Sequence, residues 1–301
     1  MSCPLCGSAK SGRYARDFYK LGRQVYSLLR CKQCGLVFVS PFPSEKDIAA
    51  MYSGSYFDDC YDSGMSSAGY FENREKLTER YRKVLAGIMR YKRSGKLLEV
   101  GCAGCIFLEL AKKQGFEPEG VEISAEMSAK ALGFKVFTGT LEQAKFPSSS
   151  FDIVYMGHVL EHVTNPKAMV KEAFRVLRSN GLLVVEVPAF VNSFYYLLLR
   201  AFYSIIPLAP LPFFKIAPKG KYLKPYHLLE FSPRTLKMLL QRQGFRVARL
   251  EQSIPVPDSL SPVLQPVFAA LKLLVKLGFR GGSLAAFAVK GALRERTSRI
   301  P

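Results

Sequence analysis

From Lys96 onward, short apolar runs alternate with longer segments that have the periodicity of amphipathic helices. This alternation is typical of βαβ units and constrains the chain to a mainly parallel sheet covered by helices. It predicts seven strands, over residues 97–100, 117–123, 134–138, 151–156, 182–187, 245–250 and 284–290. It predicts helices between them, over residues 106–114, 124–131, 166–177 and 233–243. We therefore predict an α/β protein with a doubly wound, Rossmann-like sheet.

Several of these helices carry residues that favour helix ends. Ser124 can cap the helix over 124–131, because its hydroxyl can accept from a free amide of the first turn. Asn180-Gly181 is expected to close the helix over 166–177, and Gly244 to end the helix over 233–243.

The first predicted strand ends in a turn of small residues that leads directly into a helix. The turn reads Glu99-Val100-Gly101-Cys102-Ala103-Gly104-Cys105. Such a turn lets the backbone approach a nucleoside-bearing ligand and presents the amides of a helix N-terminus to it. Glu122 ends the second strand, where a carboxylate can accept from both hydroxyls of a ribose. Together the turn and Glu122 predict a nucleoside-binding site at this edge of the sheet.

Four of the seven cysteines form two Cys-x-x-Cys pairs near the N-terminus, Cys3/Cys6 and Cys31/Cys34. In a reducing compartment two such pairs predict a Zn²⁺ site, and four thiolates leave no open position, so the site would be structural. Gly7 and Gly35 follow the pairs, where the backbone must turn sharply. The Lys and Arg residues between these pairs favour a solvated basic surface, with a nucleic-acid-binding ribbon as the alternative.

These segments resemble the class I S-adenosylmethionine-dependent methyltransferases, in particular bacterial small-molecule enzymes with an N-terminal four-cysteine zinc module. The resemblance runs from Cys3 to about Val289. Besides the cysteine pairs, it is carried by Leu98–Cys102, Gly120–Glu122, Phe151–Val154, His158–Val163 and His227–Ser232. It implies a seven-stranded methyltransferase sheet with a small zinc-ribbon module and two apolar insertions. It also implies methyl transfer to a small-molecule acceptor, by O- or C-methylation of a sugar or of a lipid-linked, prenylated or aromatic metabolite.

The resemblance assigns cofactor-binding residues position by position. Glu99 and Gly101 would line the methionine end of S-adenosylmethionine, and Glu122 would bind its ribose. The remaining assigned residues, beside the adenine or on the walls and floor of the site, are Ala103, Ile123, Leu141, Glu142, Met156, Gly157 and His158. Ala103 and Cys105 stand where the family's pattern has its second and third glycines. Because of these departures, a cofactor-free binding protein descended from a methyltransferase is one alternative.

A general base is useful if the acceptor is a hydroxyl or an acidic carbon, and imidazole titrates in the right range. His158 is the first candidate because it follows the fourth strand at the cofactor cleft, and His227 is the second. A capping or packing role near Asn165-Pro166 is favoured for His162. The segment His158-x-x-Glu161-His162 also admits a metal site as an alternative interpretation.

Two insertions, over residues 189–230 and 253–282, are predicted to overhang the carboxyl edge of the sheet. The first has an apolar run over 194–203, interrupted by Arg200, and a basic stretch over 215–224. In the second, Lys272, Lys276 and Arg280 form a basic stripe on an apolar helix over 263–279, typical of helices that lie on anionic lipid. An ordinary amphipathic helix packed on its own domain is the alternative. The net charge of +19 equally suits an anionic membrane surface or RNA, so RNA methylation is a further alternative.

The expected organisation has three parts. Residues 1–45 form the zinc-binding module, residues 46–94 a helical connector and cofactor lid, and residues 95–301 the methyltransferase domain with its insertions. The N-terminus lacks a basic stretch followed by an apolar run, so no secretory signal is predicted. We expect a cytoplasmic protein, peripheral on the inner face of the membrane if the basic insertions bind lipid.

Overall fold

The computed structural model describes residues 2–21, 23–44, 47–48, 74–129, 133–196, 227–254 and 265–291. The strands are β1 (Ser11–Leu21), β2 (Gln24–Cys31), β3 (Val37–Ser40), β4 (Gly95–Val100), β5 (Phe116–Glu122), β6 (Lys135–Thr138), β7 (Phe151–Gly157), β8 (Leu177–Pro188), β9 (Leu229–Glu230), β10 (Phe245–Ser253) and β11 (Ser283–Lys290). The α-helices are α1 (Arg74–Met89), α2 (Ile106–Lys113), α3 (Ala125–Ala129), α4 (Pro166–Val176), α5 (Pro233–Arg242) and α6 (Gln265–Lys276).

The larger sheet has seven strands in the order β10-β11-β8-β7-β4-β5-β6. β4 is parallel to β5 and β7, β5 is parallel to β6, and β7 is parallel to β8. β11 runs antiparallel to both of its neighbours, β8 and β10. The prediction of a doubly wound seven-stranded α/β fold is confirmed. The strand order reverses between β4 and β7, and sheets of this kind bind ligands at the carboxyl ends of such strands.

Both faces of the central strands are buried, which explains their uninterrupted apolar runs. In β4, Leu97 packs on one face with residues of α1 and α2, whereas Leu98 packs on the other face with residues of α4 and α5. Ile153 and Val154 of β7 divide between the same two clusters. The alternation of side chains along each strand therefore builds two cores, one on each side of the sheet.

The helix ends follow the predictions except at one position. The amide of Met127 donates to Ser124 Oγ at 3.3 Å, and Gly244 follows α5 with φ +91°. The prediction that Asn180-Gly181 closes a helix is wrong, because α4 already ends at Val176. Asn180, with φ +58°, lies inside β8 at a shift in the pairing with β7. Its left-handed backbone accommodates extra residues in a strand instead of ending a helix.

A second, antiparallel sheet has the order β1-β2-β3-β9. No strands were predicted for the N-terminal module, and the contribution of β9, from the segment after the first insertion, was also not predicted. The side-chain amide of Asn192 donates to the carbonyls of Glu230 and Phe231 at 3.1 and 3.0 Å. Because Asn192 follows β8, these bonds join the small sheet to the carboxyl edge of the large one.

The insertions are described only in part. Residues 197–226 and 255–264 lie outside the described residues, and with them most of the apolar run over 194–203, Arg200 and the basic stretch over 215–224. Most of the connector predicted over 46–94 lies outside them as well, apart from α1 and its flanks. The helix predicted over 263–279 is present as α6. Within the described residues, none of the helices is both long enough and apolar enough to cross a membrane.

Candidate functional site

The turn after β4 is held tightly against β5 and requires glycine at its first position. Gly101 has φ +76°, and a Cβ atom there would lie 2.6 Å from Cγ2 of Val159. Its amide donates to the carbonyl of Val121 at 2.7 Å. L-residues rarely adopt this backbone conformation, and a side chain here would clash with Val159, so only glycine fits at position 101.

Glu122 ends β5 beside this turn and is almost fully buried. The amides of Ala103 and Ser124 donate to its two carboxylate oxygens at 2.8 and 2.9 Å. Burial raises the pKa of Glu122, while these two hydrogen bonds act to lower it. Each oxygen retains acceptor capacity beyond its one backbone bond, so the carboxylate can still accept from a diol.

Glu99, in β4, is a buried carboxyl group with one oxygen that lacks a hydrogen bond. It is 2% exposed, and its Oε2 atom has no hydrogen-bond partner among the described residues. Burial raises its pKa well above the usual range, Cys105 and Glu122 add to the shift, and the charge of Arg80 opposes it. An ammonium group placed here would satisfy Oε2 and favour the carboxylate form. S-adenosylmethionine carries such a group at its methionine end, so the residues present fit this molecule.

The other predicted cofactor residues divide by exposure. Ile123 is 54% exposed and Glu142 is exposed, so both can contact a ligand from the surface. Leu141 and Met156 are fully buried in the main core. Gly157 is partly buried at the end of β7.

His158 follows β7 in a sparsely populated backbone conformation, with φ +56°. Its amide donates to the carbonyl of Glu186 at 2.9 Å, and its side chain is 38% exposed. Nδ1 lies 3.2 Å from Oε1 of Glu161, whose side chain is fully buried. Burial acts to raise the pKa of Glu161, but the nearby imidazoles of His158 and His162 outweigh it and lower that pKa. The two side chains form a histidine–carboxylate pair at the carboxyl edge of β7.

His162 and His227 extend this pair into a larger polar cluster. Their rings meet edge to face with centroids 5.0 Å apart, and His162 Nε2 lies 3.6 Å from Oε1 of Glu161. His227 Nδ1 lies 3.9 Å from Oε1 of the buried Glu230. Ligand atoms of Glu161, His162 and His227 lie within 4.8 Å of one another, close enough to hold one cation. The two predicted bases, His158 and His227, therefore belong to one cluster.

The capping part of the prediction for His162 is wrong, whereas a packing role and a metal-binding role both stay predictions. The cap of α4 is Asn165, whose side-chain oxygen accepts from the amide of Ala168 at 3.1 Å.

Sequence reasoning missed a buried polar group beneath this edge. Glu186 accepts from the Tyr155 hydroxyl at 2.6 Å and from the Arg80 guanidinium at 3.1 Å. Burial acts to raise the pKa of Glu186, but Arg80 and the hydrogen bond from Tyr155 contribute to lowering it. Glu186 is the single acid in the apolar strand β8, and carboxylates are rarely buried without a partner. Its position in the sequence could therefore have indicated a buried, paired carboxylate.

The four N-terminal cysteines lie together. Sγ of Cys3 is 3.5 Å from that of Cys34, Sγ of Cys6 is 3.5 Å from that of Cys31, and all four atoms lie within 4.8 Å of one another. Gly7 and Gly35 have φ of +76° and +88°, as expected for the turns beside them. The edges of a tetrahedral thiolate site with Zn–S bonds of ~2.3 Å are about 3.8 Å, so the donor set fits Zn²⁺.

Comparison with known proteins identifies the family. A family model described as a methyltransferase domain matches residues 70–250, more than half of the 301-residue chain. The chain belongs to this methyltransferase family. Its seven-stranded Rossmann-like sheet is the fold expected of this family.

Individual relatives are distant. An uncharacterized protein of Methanocaldococcus jannaschii is 33% identical over 120 residues, covering 39% of this chain and 55% of the relative. The ubiquinone biosynthesis O-methyltransferase of Histophilus somni is 26% identical over 157 residues, covering 46% of this chain and 62% of the relative. The chain thus spans less than two thirds of these curated relatives. Among solved structures, an S-adenosylmethionine-dependent methyltransferase from Archaeoglobus fulgidus matches with a TM-score of 0.52 at 22% identity, covering 78% of this chain and 98% of that one. This likeness shows the shared fold.

Proposed function

We propose that this methyltransferase acts on a small-molecule acceptor with an apolar portion, at a hydroxyl or an acidic carbon. The observation that carries the use of S-adenosylmethionine as methyl donor is the placement of two buried carboxyl groups, Glu99 and Glu122, on either side of the Gly101 turn. Glu99 Oε2 lacks a hydrogen-bond partner among the described residues, and Glu122 accepts hydrogen bonds from two backbone amides. When bound, S-adenosylmethionine supplies a methyl group on a positively charged sulfur.

Each proposed cofactor residue has a defined task. Glu122 accepts from the ribose hydroxyls, and Glu99 accepts from the ammonium group of the methionine end. Gly101 and Ala103 allow close approach of the backbone, and Ile123 and Glu142 contact the adenine. Most of the catalytic effect is expected from holding donor and acceptor in line, since methyl displacement needs little further machinery.

His158 is the proposed general base. His158 Nδ1 faces the Glu161 carboxylate at 3.2 Å, which favours a proton on Nδ1 and leaves Nε2 to take the proton from an acceptor hydroxyl or carbon. The buried Glu161 carboxylate then stabilises the charged imidazole, in the way a carboxylate orients histidine in other enzymes. His227, which contacts His162 in the same cluster, is the second candidate.

We further propose that Cys3, Cys6, Cys31 and Cys34 bind one structural Zn²⁺. The sulfur separations of 3.5 Å support it, as does the packing of three of these cysteines into the main core with Leu36 and Phe38. The zinc would fix the hairpin turns of residues 1–45 on the domain formed by residues 95–301. No open coordination position remains, so the zinc takes no part in methyl transfer.

The acceptor's apolar character and a membrane surface as partner are inferred from α6. Val267, Leu273, Leu277 and Phe279 of this helix and the turn after it are 48–69% exposed. Lys272, Lys276 and Arg280 are exposed beside them. An exposed apolar face flanked by cations is what an interfacial helix offers to anionic lipid. Phe268 instead packs inward with Leu271 and Val275, which anchors the helix to the protein.

The proposed function is tested with S-adenosylmethionine labelled in its methyl group. The protein is incubated with separate lipid, water-soluble and RNA fractions of a bacterial extract, beside the Glu122→Ala variant. We expect label in a small molecule of the lipid fraction with wild type and little with Glu122→Ala. Label confined to RNA would contradict the proposal and favour RNA methylation. Label confined to water-soluble molecules would contradict the apolar acceptor and the membrane role.

A further inference from the structure

Two cysteines flank the cofactor turn, and the mechanism above uses neither thiol. Cys102 and Cys105 are each 2% exposed, and their Sγ atoms lie 4.0 Å apart. The amide of Cys105 donates to the carbonyl of Cys102 at 2.8 Å, so the four residues form a closed turn. The amide of Cys102 donates to Val121, which holds the turn against β5.

The turn already has a backbone suited to a disulfide. The first and last Cα atoms of a β-turn lie less than about 7 Å apart, and a disulfide needs a Cα separation of about 4.4–6.8 Å. The sulfurs would have to approach by ~2 Å to reach the bond length of about 2.05 Å. Rotation of the two side chains would have to supply this approach. Cys105 is the N-cap residue of α2 but makes no side-chain capping hydrogen bond, so its sulfur is not committed to the helix.

The two thiols differ in reactivity. The interaction between the two thiols lowers the pKa of Cys105, although burial opposes the shift. The same interaction, together with burial, raises the pKa of Cys102. Cys105 also lies at the N-terminus of α2, where the helix dipole favours an anion. Cys105 is therefore the nucleophile of the pair, and Cys102 the thiol that resolves its oxidised form.

We propose that Cys102 and Cys105 form a redox-active dithiol, which hydrogen peroxide converts to a disulfide that weakens binding of S-adenosylmethionine. The Cys105 thiolate attacks one peroxide oxygen, the O–O bond breaks, and hydroxide leaves as water with the proton that the thiol had lost. Cys105 then carries a sulfenic acid. The Cys102 sulfur attacks the Cys105 sulfur, and its proton leaves with the sulfenic hydroxyl as a second water. Two thiols are oxidised by two electrons, and one peroxide is reduced to two waters.

The expected effect on the cofactor follows from the neighbours of the turn, and it rests on the proposed function. Ala103, between the two cysteines, donates to Glu122 at 2.8 Å, so a tightened turn misplaces the ribose-binding carboxylate. The Cys105 sulfur also lies close enough to Glu99 to influence the pKa of that carboxyl group, so moving this sulfur into a disulfide changes the surroundings of the proposed ammonium-binding group. We expect the affinity for S-adenosylmethionine to fall at least tenfold.

The test combines mass spectrometry with calorimetry on the full chain. Trypsin releases residues 97–112 as one peptide that contains both cysteines and no others. After treatment with a small excess of peroxide and alkylation, this peptide is expected to lose two hydrogens and take up no alkyl group, and a dithiol reductant should reverse the change. Calorimetry of the same samples should show the tenfold loss of affinity. In the double variant Cys102→Ser/Cys105→Ala, peroxide should leave the affinity for S-adenosylmethionine as it was before treatment.

The outcomes that overturn the proposal are distinct. Full alkylation of the peptide after peroxide treatment would show that the disulfide does not form, and this measurement needs no variant to fold. An affinity that is equal in the reduced and oxidised protein, or that falls equally in the double variant, would show that the pair does not control the site. Absence of binding to the reduced wild-type protein would instead refute the proposed cofactor site itself.

Discussion

Two buried carboxyl groups dominate the site at the scale of single residues. Glu122 is satisfied by backbone amides before any ligand arrives, whereas Glu99 is left with an unpartnered oxygen among the described residues. Burial of an unpartnered carboxyl group costs free energy, and enzymes retain such groups where a ligand compensates for it. The same holds for His158 and its left-handed backbone, since strained residues concentrate at functional sites.

Glu99 should couple cofactor binding to proton release. Its pKa is raised in the free protein, and the cationic methionine end should lower it, so a proton leaves when S-adenosylmethionine binds. The affinity for S-adenosylmethionine should therefore increase with pH until the pH passes the pKa that Glu99 has in the free protein. Calorimetry in two buffers with different ionisation enthalpies gives the number of protons released. The Glu99→Gln variant should release fewer protons than wild type, and an identical number in both would contradict the assignment.

His158 should affect turnover and not cofactor affinity. Loss of a general base typically reduces the rate by about 10²–10⁴-fold. With the acceptor found by methyl labelling, His158→Asn is expected to lower kcat by this order and to bind S-adenosylmethionine as wild type does. A His227→Asn variant serves as comparison. If His227→Asn loses kcat and His158→Asn does not, the order of the two candidates is reversed.

Single strands and helices show what the sequence could predict. The strands of the large sheet were predicted to within a few residues, except for the extended start of β8, because their apolar runs face cores on both sides. Glu99, Gly101 and Glu122 were found because each ends or follows such a strand. Glu186 was not assigned a role, because its importance comes from partners distant in sequence, Arg80 and Tyr155. Glu161 was considered only as part of a metal site, and its contact with the candidate base His158 depends on the backbone conformation after β7. The sheet formed by β1, β2, β3 and β9 was missed because β9 has only two residues and pairs across the fold.

The N-terminal cysteines should behave as one metal-binding element. Elemental analysis of protein purified without added metal should find one zinc per chain. Cys31→Ser should lose this zinc and lower the free energy of unfolding by about 2 kcal/mol or more, since loss of a metal is among the large effects of single mutations. The cofactor-binding residues lie outside the zinc module, so the Cys31→Ser variant should still bind S-adenosylmethionine. Zinc-free wild-type protein that is fully folded and active would contradict the metal site.

Helix α6 should control binding to anionic lipid. Each basic residue near an anionic surface contributes about 1 kcal/mol, so changing Lys272, Lys276 and Arg280 to Gln should weaken vesicle binding by about 3 kcal/mol. Sedimentation with phosphatidylserine vesicles at low and high salt measures this. The matched control changes three exposed basic residues of α1 and α2, namely Arg82, Lys83 and Lys113, to Gln. Equal losses in both triple variants would indicate an effect of net charge alone.

In the whole molecule, the two sheets meet where the site lies. β9 ends at Glu230, close to His227, and the amide of Leu228 donates to the carbonyl of Glu161 at 2.8 Å. The histidine–carboxylate cluster is thus held by the segment after β7 on one side and by the small sheet on the other. The net charge of +19 attracts acidic partners to the whole surface, and the polar cluster at this edge sets where chemistry can occur.

Calorimetric titration of S-adenosylmethionine into wild type, Glu122→Ala and Glu117→Ala tests the central assignment most directly. Glu117 lies exposed on the same strand, β5, and so controls for loss of an acid there. Glu122→Ala should lose about 1.5–3 kcal/mol of binding free energy, the range for hydrogen bonds to a charged acceptor, and Glu117→Ala should bind as wild type does. Unchanged affinity in Glu122→Ala would contradict the cofactor site described for this chain.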